Sequence, residues 1–241
     1  MSGPFAHATS ALVSLTRLTH GGRVGKPRRR PEQLLELYEF EACPFCRKVR
    51  EALSILDLEA EIRPCPKGGP RYREQIEQRG GKAQFPYLVD PNSGVEMYES
   101  DAIVRYLFER YGDGAVPALL GLPILTDVSS VLAGLPRIGR GSHYRPARQP
   151  ELPLELYSFE ASPFCRIVRE TLCTLELPYR LYNVAKGSAS RDAFVQRSGR
   201  MMVPWLVDPN SGESMFESAD IVAYLDRAYS RYPPRGERDG R

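Results

Sequence analysis

The chain of 241 residues is poor in several features that mark particular classes of protein. It has five cysteines, and this small odd number argues against the disulfide framework of a secreted protein and favours a reducing compartment. Its net charge of +3 is too small to indicate a nucleic-acid-binding surface, so we expect no nucleic-acid partner. No uninterrupted apolar stretch reaches the roughly 18 residues of a membrane span. These absences leave a globular protein with one large or two small domains.

Acidic residues are missing from residues 1–31, although this stretch carries basic residues such as Arg17, Arg23 and the run 28–30. The composition fits a solvated basic N-terminal arm, which we assign to residues 1–33. It also fits an organellar targeting segment. We therefore expect a cytoplasmic protein, with an organellar, plastid-like location as the alternative.

What the chain does contain is an internal repeat. The stretch EACPFCRKVR at residues 41–50 returns as EASPFCRIVR at residues 160–169. Further on, FPYLVDPNSGVEMYESDAIVRYL at 85–107 matches VPWLVDPNSGESMFESADIVAYL at 203–225. Because most positions in these blocks are identical, the chain is a tandem duplication, with one residue dropped between the two blocks of the second copy.

Each copy has the pattern of a small α/β domain. In the first copy, an apolar strand leads to a helix over 45–56 that carries apolar residues at helical spacing. A strand at 60–63 and a helix at 72–78 follow, and then PNSG between two apolar stretches predicts a hairpin. A closing helix begins at Ser100, a favourable N-cap residue. The order β-α-β-α-β-β-α predicts a domain with a mixed sheet.

The predicted domains follow the repeat. The chain divides into the basic arm at 1–33, domain 1 at 34–112, a linker at 113–152, domain 2 at 153–230 and a polar tail at 231–241. The linker is apolar in its first half and rich in Gly, Pro and Arg in its second half. We expect it to form a helix or hairpin packed between the domains, with peripheral membrane contact through the linker as the alternative.

Cys43 and Cys46 frame the sequence CPFC between a predicted strand and a predicted helix. A cysteine just before a helix receives free backbone N–H groups and the positive end of the helix dipole, and both favour the nucleophilic thiolate. Arg47 and Lys48 add positive charge. The spacing suits attack by Cys43 on a disulfide and resolution by Cys46. The alternatives are half of a zinc site or two packing cysteines. Because no second cysteine pair or histidine pair has ligand spacing, we expect no metal.

Cys65 and Cys173 also fall inside the repeats. Cys65 in RPCPKGG is expected in a flexible loop, as an additional redox thiol or an incidental exposed one. Cys173 lies on the first helix of domain 2, where a packed core cysteine is the simplest interpretation. The three histidines lie outside the repeats, without carboxylate or cysteine neighbours in the sequence, and receive no role.

Two prolines and two Glu-Ser pairs recur at matching places in the copies. Pro86 and Pro204 each follow a large apolar residue and open a strand, which predicts a cis peptide bond or an ordinary edge-strand proline. The Glu-Ser pairs begin the two closing helices and consist of Glu99, Ser100, Glu217 and Ser218. A serine hydroxyl beside free helix N–H groups forms a corner that binds a carboxylate, and simple helix capping is the alternative.

These motifs, in this order, resemble the N-terminal domain of glutathione S-transferases, which is a glutaredoxin-like form of the thioredoxin fold. The layout of two such copies joined by an apolar linker is similar to tandem thioredoxin-fold proteins of plant plastids and their bacterial relatives. The resemblance covers residues 34–112 and 153–230. It implies an α/β protein made of two tandem thioredoxin-like domains, each with a mixed four-stranded sheet.

For domain 1, the resemblance implies a complete glutathione site. Cys43 is then the nucleophile that forms a mixed disulfide with glutathione, and Cys46 is the resolving thiol. The implied glutathione-binding residues are Phe85, Pro86, Glu99 and Ser100. The backbone of Phe85, held by a cis proline, pairs with the cysteinyl part of glutathione, and the Glu-Ser pair holds its γ-glutamyl end.

Domain 2 departs from this pattern at the nucleophile, where Ser162 replaces the cysteine. A hydroxyl cannot undergo thiol exchange, so Cys165 lacks an attacking partner, although it could be glutathionylated by itself. The remaining positions of this second candidate site are Val203, Pro204, Glu217 and Ser218. Ser162 is consistent with a binding-only site, with a helix cap in a structural domain, or with a transferase-like site in which the hydroxyl hydrogen-bonds the glutathione thiolate.

The sequence therefore predicts a glutathione-linked thiol–disulfide oxidoreductase that uses the CPFC dithiol of domain 1. Glutathione is expected as a co-substrate, without a permanently bound cofactor, and the partners are disulfide-containing or glutathionylated proteins. One alternative is a transferase or peroxidase that activates glutathione, although no all-helical domain follows either copy. The other is a non-catalytic interaction module.

Overall fold

The computed structural model describes residues 21–25, 27–121 and 141–231. The elements of domain 1 are β1 (Leu35–Glu39), α1 (Pro44–Ile55), β2 (Ala60–Pro64), α2 (Tyr72–Gly80), β3 (Tyr87–Asp90), β4 (Val95–Met97) and α3 (Ser100–Tyr111). A short helix, α4 (Ala118–Gly121), follows. The elements of domain 2 are β5 (Leu154–Ser158), α5 (Pro163–Thr174), β6 (Tyr179–Asn183), α6 (Arg191–Ser198), β7 (Trp205–Asp208), β8 (Glu213–Met215) and α7 (Ser218–Tyr229). Both domains therefore have the predicted order of strands and helices.

The strands of the two domains form one sheet, which corrects the prediction of two four-stranded sheets. Its strand order is β4-β3-β1-β2-β6-β5-β7-β8. The domains join where β2 and β6 pair antiparallel, with Glu61 opposite Arg180 at the centre of the register. An unpaired strand edge exposes a row of N–H and C=O groups, and this pairing satisfies both inner edges at once. The sequence of a strand does not show which other strand it pairs with. The repeat alone could therefore not predict the pairing of β2 with β6.

The β2–β6 junction relates the domains by an approximate two-fold axis. Glu61 and Arg180 hold the same position in the two copies, and they face each other across the junction. The apolar core is continuous across it, because residues such as Leu53 of domain 1 and Leu172 of domain 2 belong to the same buried cluster. The largest apolar core is thus shared by the two domains, and each domain has a smaller buried cluster of its own.

A carboxylate anchors the predicted hairpin of each domain to its closing helix. In domain 1, Asp90 accepts hydrogen bonds from the hydroxyls of Tyr106 and Tyr111, both at 2.5 Å. In domain 2, Asp208 accepts from Tyr224 at 2.6 Å and from Tyr229 at 2.5 Å. The DPNSG sequence is therefore both a turn and an attachment point, and the attachment is alike in the two copies.

The segments that precede β1 and β5 each contact both domains. Val24 donates its backbone N–H to Lys186 O at 2.9 Å in domain 2, while the next residue, Gly25, donates to Ile55 O of domain 1. In the linker, Tyr144 donates to Lys67 O at 2.9 Å in domain 1, and the residue after it donates to domain 2. The end of the linker thus contacts both domains.

Two predictions concern residues that the structure does not describe. The targeting segment or basic arm falls largely on residues 1–20, and the predicted membrane contact falls on residues 122–140. Within the described ranges, no helix combines the length and the apolar character that crossing a bilayer requires.

Candidate functional site

Cys43 ends a tight turn and caps helix α1. Its backbone N–H donates to Phe40 O at 3.0 Å, which closes the turn between β1 and α1. Its extended backbone, with φ of −79° and ψ of 122°, turns the side chain towards the start of the helix. There the sulfur accepts a hydrogen bond from the backbone N–H of Cys46 at 3.3 Å. Pro44 follows at the first helical position, which its fixed φ suits.

The two thiols of domain 1 differ in acidity. The pKa of Cys43 is lowered, chiefly because hydrogen bonds from the thiol and the backbone N–H of Cys46 stabilise its thiolate against the effect of burial. The pKa of Cys46 is raised well above its ordinary value, because this side chain is fully buried and lies beside the first sulfur. Both cysteines are free thiols. The arrangement favours a thiolate on Cys43 and a protonated thiol on Cys46.

Only a small part of Cys43 is exposed to solvent. Cys43 is 5% exposed, whereas the neighbouring Phe45 is 43% exposed. Cys43 and Cys46 share one buried cluster with Phe85, the residue before the cis proline. The fold therefore brings together the dithiol and part of the predicted glutathione-binding strand, although the two are far apart in the sequence.

Cys65 belongs to the same buried cluster, which corrects its prediction as an exposed loop thiol. Its backbone N–H donates to Glu39 O at 2.6 Å and so continues the pairing of β1 with β2 for one more residue. This pairing directs the side chain into the protein, where burial raises the pKa of the thiol well above its ordinary value. Cys173 is also buried, as predicted for a core cysteine.

The predicted glutathione-binding positions of domain 1 lie around a hydrogen bond that the sequence did not indicate. The Phe85–Pro86 peptide bond is cis, as predicted. Gln84, just before it, donates from its side-chain amide to Glu99 Oε1 at 2.7 Å and so connects the proline loop to the start of α3. A single glutamine in a loop belongs to no sequence motif, so its hydrogen bond to Glu99 is seen only in the folded structure.

Helix α3 begins at Ser100, as predicted, but its N-cap residue differs from the prediction. Glu99, not Ser100, occupies the N-cap position, and Ser100 is the first helical residue. Glu99 has a φ of 69°, in the left-handed region that few residues other than glycine adopt. Such backbone strain occurs preferentially at binding and active sites, where the surrounding structure maintains it. The same conformation recurs at Glu217, with a φ of 63°, so both domains keep this corner.

Domain 2 repeats the geometry with different atoms. Ser162 caps α5, and its hydroxyl oxygen accepts the backbone N–H of Cys165 at 3.3 Å. Cys165 is fully buried, which raises the pKa of its thiol. The Val203–Pro204 bond is cis, and Glu217 and Ser218 begin α7. At the position of Gln84, however, this copy has Met202, which cannot form the amide bridge to the glutamate.

Beneath the two turns lies a cluster of buried ionic side chains, which we call the interdomain charge cluster. Its members come from both domains and are Glu39, Glu41, Arg47, Arg50, Glu160, Arg166 and Arg169. Arg50 contacts Glu39 and also donates to Glu160 of the other domain at 3.0 Å. The sequence predicted that Arg47 and Lys48 would assist the thiolate, but both make ion pairs with carboxylates instead.

Two carboxyl groups of the cluster have opposite pKa shifts. Burial raises the pKa of Glu39 to about 7, although the charge of Arg50 acts in the opposite direction. Burial also acts to raise the pKa of Glu160, but Arg169 and other arginines outweigh it and lower that pKa to about 2. A group with a pKa near neutrality therefore lies at the end of β1, four residues before Cys43.

The side chains described here do not form a metal centre. Over residues 21–25, 27–121 and 141–231, no group of three or more His, Cys, Asp or Glu side chains is arranged to hold an ion. The cysteines near the turn are accounted for by packing and hydrogen bonding.

Comparison with known proteins gives one family match. The family described as "Glutathione S-transferase, N-terminal domain" matches residues 37–118 and again 156–235, which together make up more than half of the chain. A solved structure from Leishmania, described as TDR1, a unique trimeric glutathione transferase, is 15% identical to this chain. The match covers 85% of this chain and 71% of that chain, with a TM-score of 0.28, too low to support a comparison of sites. No curated protein sequence matches the chain.

Proposed function

The chain belongs to the glutathione S-transferase N-terminal domain family, with two consecutive copies of the domain, and from this premise we propose that it is a glutathione-linked thiol–disulfide oxidoreductase. Domain 1 carries the reaction through Cys43 and Cys46. Domain 2 is a structural or glutathione-binding copy that does not exchange thiols. The substrates are disulfide-containing or glutathionylated proteins, and glutathione is the co-substrate.

One observation carries this proposal: a thiol with a lowered pKa caps α1 in domain 1, with a second, protonated thiol one turn away. Cys43 receives the N–H of Cys46 at 3.3 Å, and hydrogen bonding from Cys46 favours its thiolate. The thiolate is the nucleophile of disulfide exchange, and the second thiol releases the intermediate. Domain 2 has the same turn but no sulfur at the capping position.

The reaction balances without any bound cofactor. The Cys43 thiolate attacks a glutathionylated protein at the glutathione sulfur; one S–S bond forms, the old one breaks, and the protein thiolate leaves and takes a proton. A second glutathione thiolate then attacks the mixed disulfide, releasing oxidised glutathione and the free Cys43 thiolate. Alternatively, Cys46 loses its proton and attacks Cys43, which releases glutathione and leaves an internal disulfide. Each cycle on a glutathionylated protein therefore consumes one free glutathione, because the substrate supplies the other half of the oxidised glutathione. In the alternative route, two glutathione molecules reduce the internal disulfide after one has been released from the substrate.

The chemistry of the neighbouring residues fits glutathione. Its γ-glutamyl end carries an ammonium and a carboxylate. Glu99 offers a carboxylate whose direction is set by Gln84, and this suits the ammonium. Ser100 lies at the first position of α3, where free backbone N–H groups suit a carboxylate. Phe85, in the cluster of the dithiol, offers the backbone for the cysteinyl part.

The proposal is tested by mass measurement after exposure to oxidised glutathione. We expect the parent protein to form a Cys43–Cys46 disulfide without an adduct, because Cys46 releases the bound glutathione. Cys46→Ser should instead retain one glutathione on Cys43, located by peptide mapping, and Cys43→Ser should retain none at residue 46. No adduct on Cys43 in the Cys46→Ser protein would exclude the proposed dithiol reaction.

A further inference from the structure

The turn before Cys43 is contacted by side chains of domain 2. Glu41 lies at the second position of this turn, and both of its carboxylate oxygens accept hydrogen bonds from Arg169 of α5, at 3.0 and 3.1 Å. Its backbone N–H donates to the sulfur of Cys173 at 3.4 Å. All of these groups are buried. Arg50 of domain 1 also contacts the Glu41 carboxylate, at 3.2 Å, so the side chain is held from both domains, while the backbone N–H is held from domain 2.

The end of the linker closes over the same turn. The Cys173 thiol donates to Gly141 O at 3.0 Å, so its sulfur joins the linker to the turn. Gly141 has a φ of +69°, and a Cβ atom there would lie 3.0 Å from the Cβ of Glu41. The backbone approaches the turn so closely that only glycine fits. Three contacts from different parts of the chain thus converge on Glu41.

The position of Glu41 bears directly on the reactive sulfur. The turn that contains Glu41 is closed by the hydrogen bond from Cys43 N–H to Phe40 O, so the two residues share one rigid unit. A paired Arg–carboxylate interaction with two parallel hydrogen bonds fixes orientation as well as distance. A change at Arg169 should therefore tilt the turn and lengthen the 3.3 Å contact between the Cys43 sulfur and the N–H of Cys46.

We propose that Arg169 and Cys173 of domain 2 are positioning residues for Cys43, which hold the turn so that its sulfur faces the start of α1. This inference rests on the proposed function, since it takes Cys43 as the reacting thiol. It gives the second domain a task in the reaction that requires no site of its own. The catalytic unit is then the two-domain protein rather than domain 1 alone.

The pseudo-symmetry of the molecule supplies a matched control. In the equivalent contact of the other half, Ser54 of α1 accepts a hydrogen bond from the backbone N–H of Glu160 at 3.1 Å, in the turn before Ser162. Ser54 holds the position that Cys173 holds in the second copy. Replacing either residue with alanine removes one acceptor from one turn, but only Cys173 contacts the turn of the reactive thiol.

The experiment measures the rate at which iodoacetamide labels Cys43 as a function of pH, with the labelled residue identified by peptide mass. In Arg169→Lys, which keeps the charge but loses the paired hydrogen bonds, we expect the pKa of Cys43 to rise by about one unit, and labelling below that pKa to slow about tenfold. Cys173→Ala should slow it about threefold, since it removes one weak acceptor. Ser54→Ala should leave the Cys43 profile unchanged.

The outcomes separate this inference from the proposed function. If Arg169→Lys does not fold, as judged by circular dichroism, the comparison of Cys173→Ala with Ser54→Ala decides the question. Identical pH profiles of Cys43 in the parent and in the folded variants would overturn the positioning role. Labelling measures the thiolate without glutathione. A shifted profile in a protein that forms no glutathione adduct would support the positioning inference while rejecting the proposed function.

Discussion

The two domains cap their first helices with the same geometry but with different atoms. The sulfur of Cys43 and the hydroxyl oxygen of Ser162 each accept a backbone N–H three residues ahead at 3.3 Å. Capping therefore requires only an acceptor at this position, and serine provides it as well as cysteine does. Disulfide exchange, by contrast, requires a sulfur. The comparison therefore separates the structural role of this position, which both domains share, from the chemical role that we propose for Cys43 alone.

Domain 1 has a set of polar residues that domain 2 replaces with small or apolar ones. The replaced residues and their counterparts are Glu39 and Ser158, Lys48 and Ile167, Gln84 and Met202, and Asp101 and Ala219. The anchors away from the dithiol, such as Asp90 and Asp208, are the same in both copies. Domain 2 therefore keeps the fold without this polar set.

The largest effect is expected when the sulfur of Cys43, the atom by which the two turns differ, is replaced by oxygen. Cys43→Ser gives domain 1 the capping residue of domain 2, so we expect α1 to keep its cap while the reduction of glutathionylated protein falls at least about a thousandfold. The assay follows release of glutathione from a glutathionylated protein, alongside the free energy of unfolding in urea. Activity above about a tenth of the parent value would show that another group carries the reaction.

The reverse exchange tests whether the second turn can activate a thiol. Ser162→Cys recreates the sequence CPFC in domain 2. The backbone N–H of Cys165, which donates to the Ser162 hydroxyl, can then donate to the new sulfur. We expect iodoacetamide to label residue 162 at neutral pH in this variant. A residue 162 thiol as unreactive as the buried Cys165 would mean that the polar residues found only in domain 1, and not the turn, activate the thiol.

The next effect concerns Glu39, which domain 2 replaces with Ser158. The pKa of Glu39 is raised to about 7 by burial, so the folded state holds its proton more tightly than the unfolded state does. Its contribution to stability is therefore complete below about pH 4.5 and is lost as the pH rises through about 7. In Glu39→Gln, the free energy of unfolding relative to the parent should rise by about 3 kcal/mol between these limits.

Urea unfolding of the parent and of Glu39→Gln at both ends of this range measures that difference. Ser158→Ala serves as the control at the equivalent position, because a serine does not titrate there. A difference between parent and Glu39→Gln that is the same at both pH values would contradict the raised pKa.

Replacing either of the two aspartates that anchor the hairpins, Asp90 or Asp208, should have a smaller effect on stability, equal in the two domains. Hydrogen bonds from two tyrosines and an asparagine outweigh burial and lower the pKa of both Asp90 and Asp208. Asp90→Asn and Asp208→Asn should each cost about 2 to 3 kcal/mol in the free energy of unfolding at pH 7. The stability that each ionised aspartate contributes is complete above the ordinary carboxyl pKa and is lost as the pH falls through the lowered pKa of the folded state. The loss of stability caused by each Asp→Asn substitution should therefore be smaller in acid than at pH 7. Unequal costs at neutral pH would show that the copies are less alike than their contacts.

The smallest net effect is expected when both partners of the ion pair between α1 and α3 are replaced together. Lys48 is fully buried and pairs with Asp101, whereas domain 2 has Ile167 and Ala219 at these positions. Asp101→Ala alone leaves a buried charge without its partner and should cost about 3 kcal/mol. Lys48→Ile together with Asp101→Ala should return to within about 1 kcal/mol of the parent. A double variant as unstable as the single one in urea would show that the pair is needed for folding.

The sequence predicted the elements because their causes are local. Turn residues, apolar spacing and the repeat itself decide where each strand and helix lies, and the observed bounds differ by only a few residues. The same holds for CPFC at a helix start, since a cap is a property of neighbouring residues. Glu99 as the N-cap of α3 was not predicted, because its left-handed backbone is unusual for that residue type.

What the sequence could not predict depends on contacts between distant parts of the chain. In the sequence, Arg50 and Arg169 have the character of solvent-exposed helix residues, but both are buried because α1 and α5 pack together. Cys65 was expected to be exposed, but it is buried because its N–H extends the β1–β2 pairing. The single sheet and the support of Glu41 by domain 2 have the same origin, because periodicity describes one element and not its partner.

The pairing at the centre of the sheet also decides which chains can combine. Two copies of domain 1 joined through β2 in this register would place Glu61 opposite Glu61, and two copies of domain 2 would place Arg180 opposite Arg180. Like charges directly opposite each other destabilise a strand pair, whereas the Glu61–Arg180 combination stabilises it. Since the two halves are also held at high local concentration by their linker, each selects the other half of its own chain over a second copy of itself. The opposite charges at this one pair of positions therefore favour pairing of the two halves within a chain over pairing between chains.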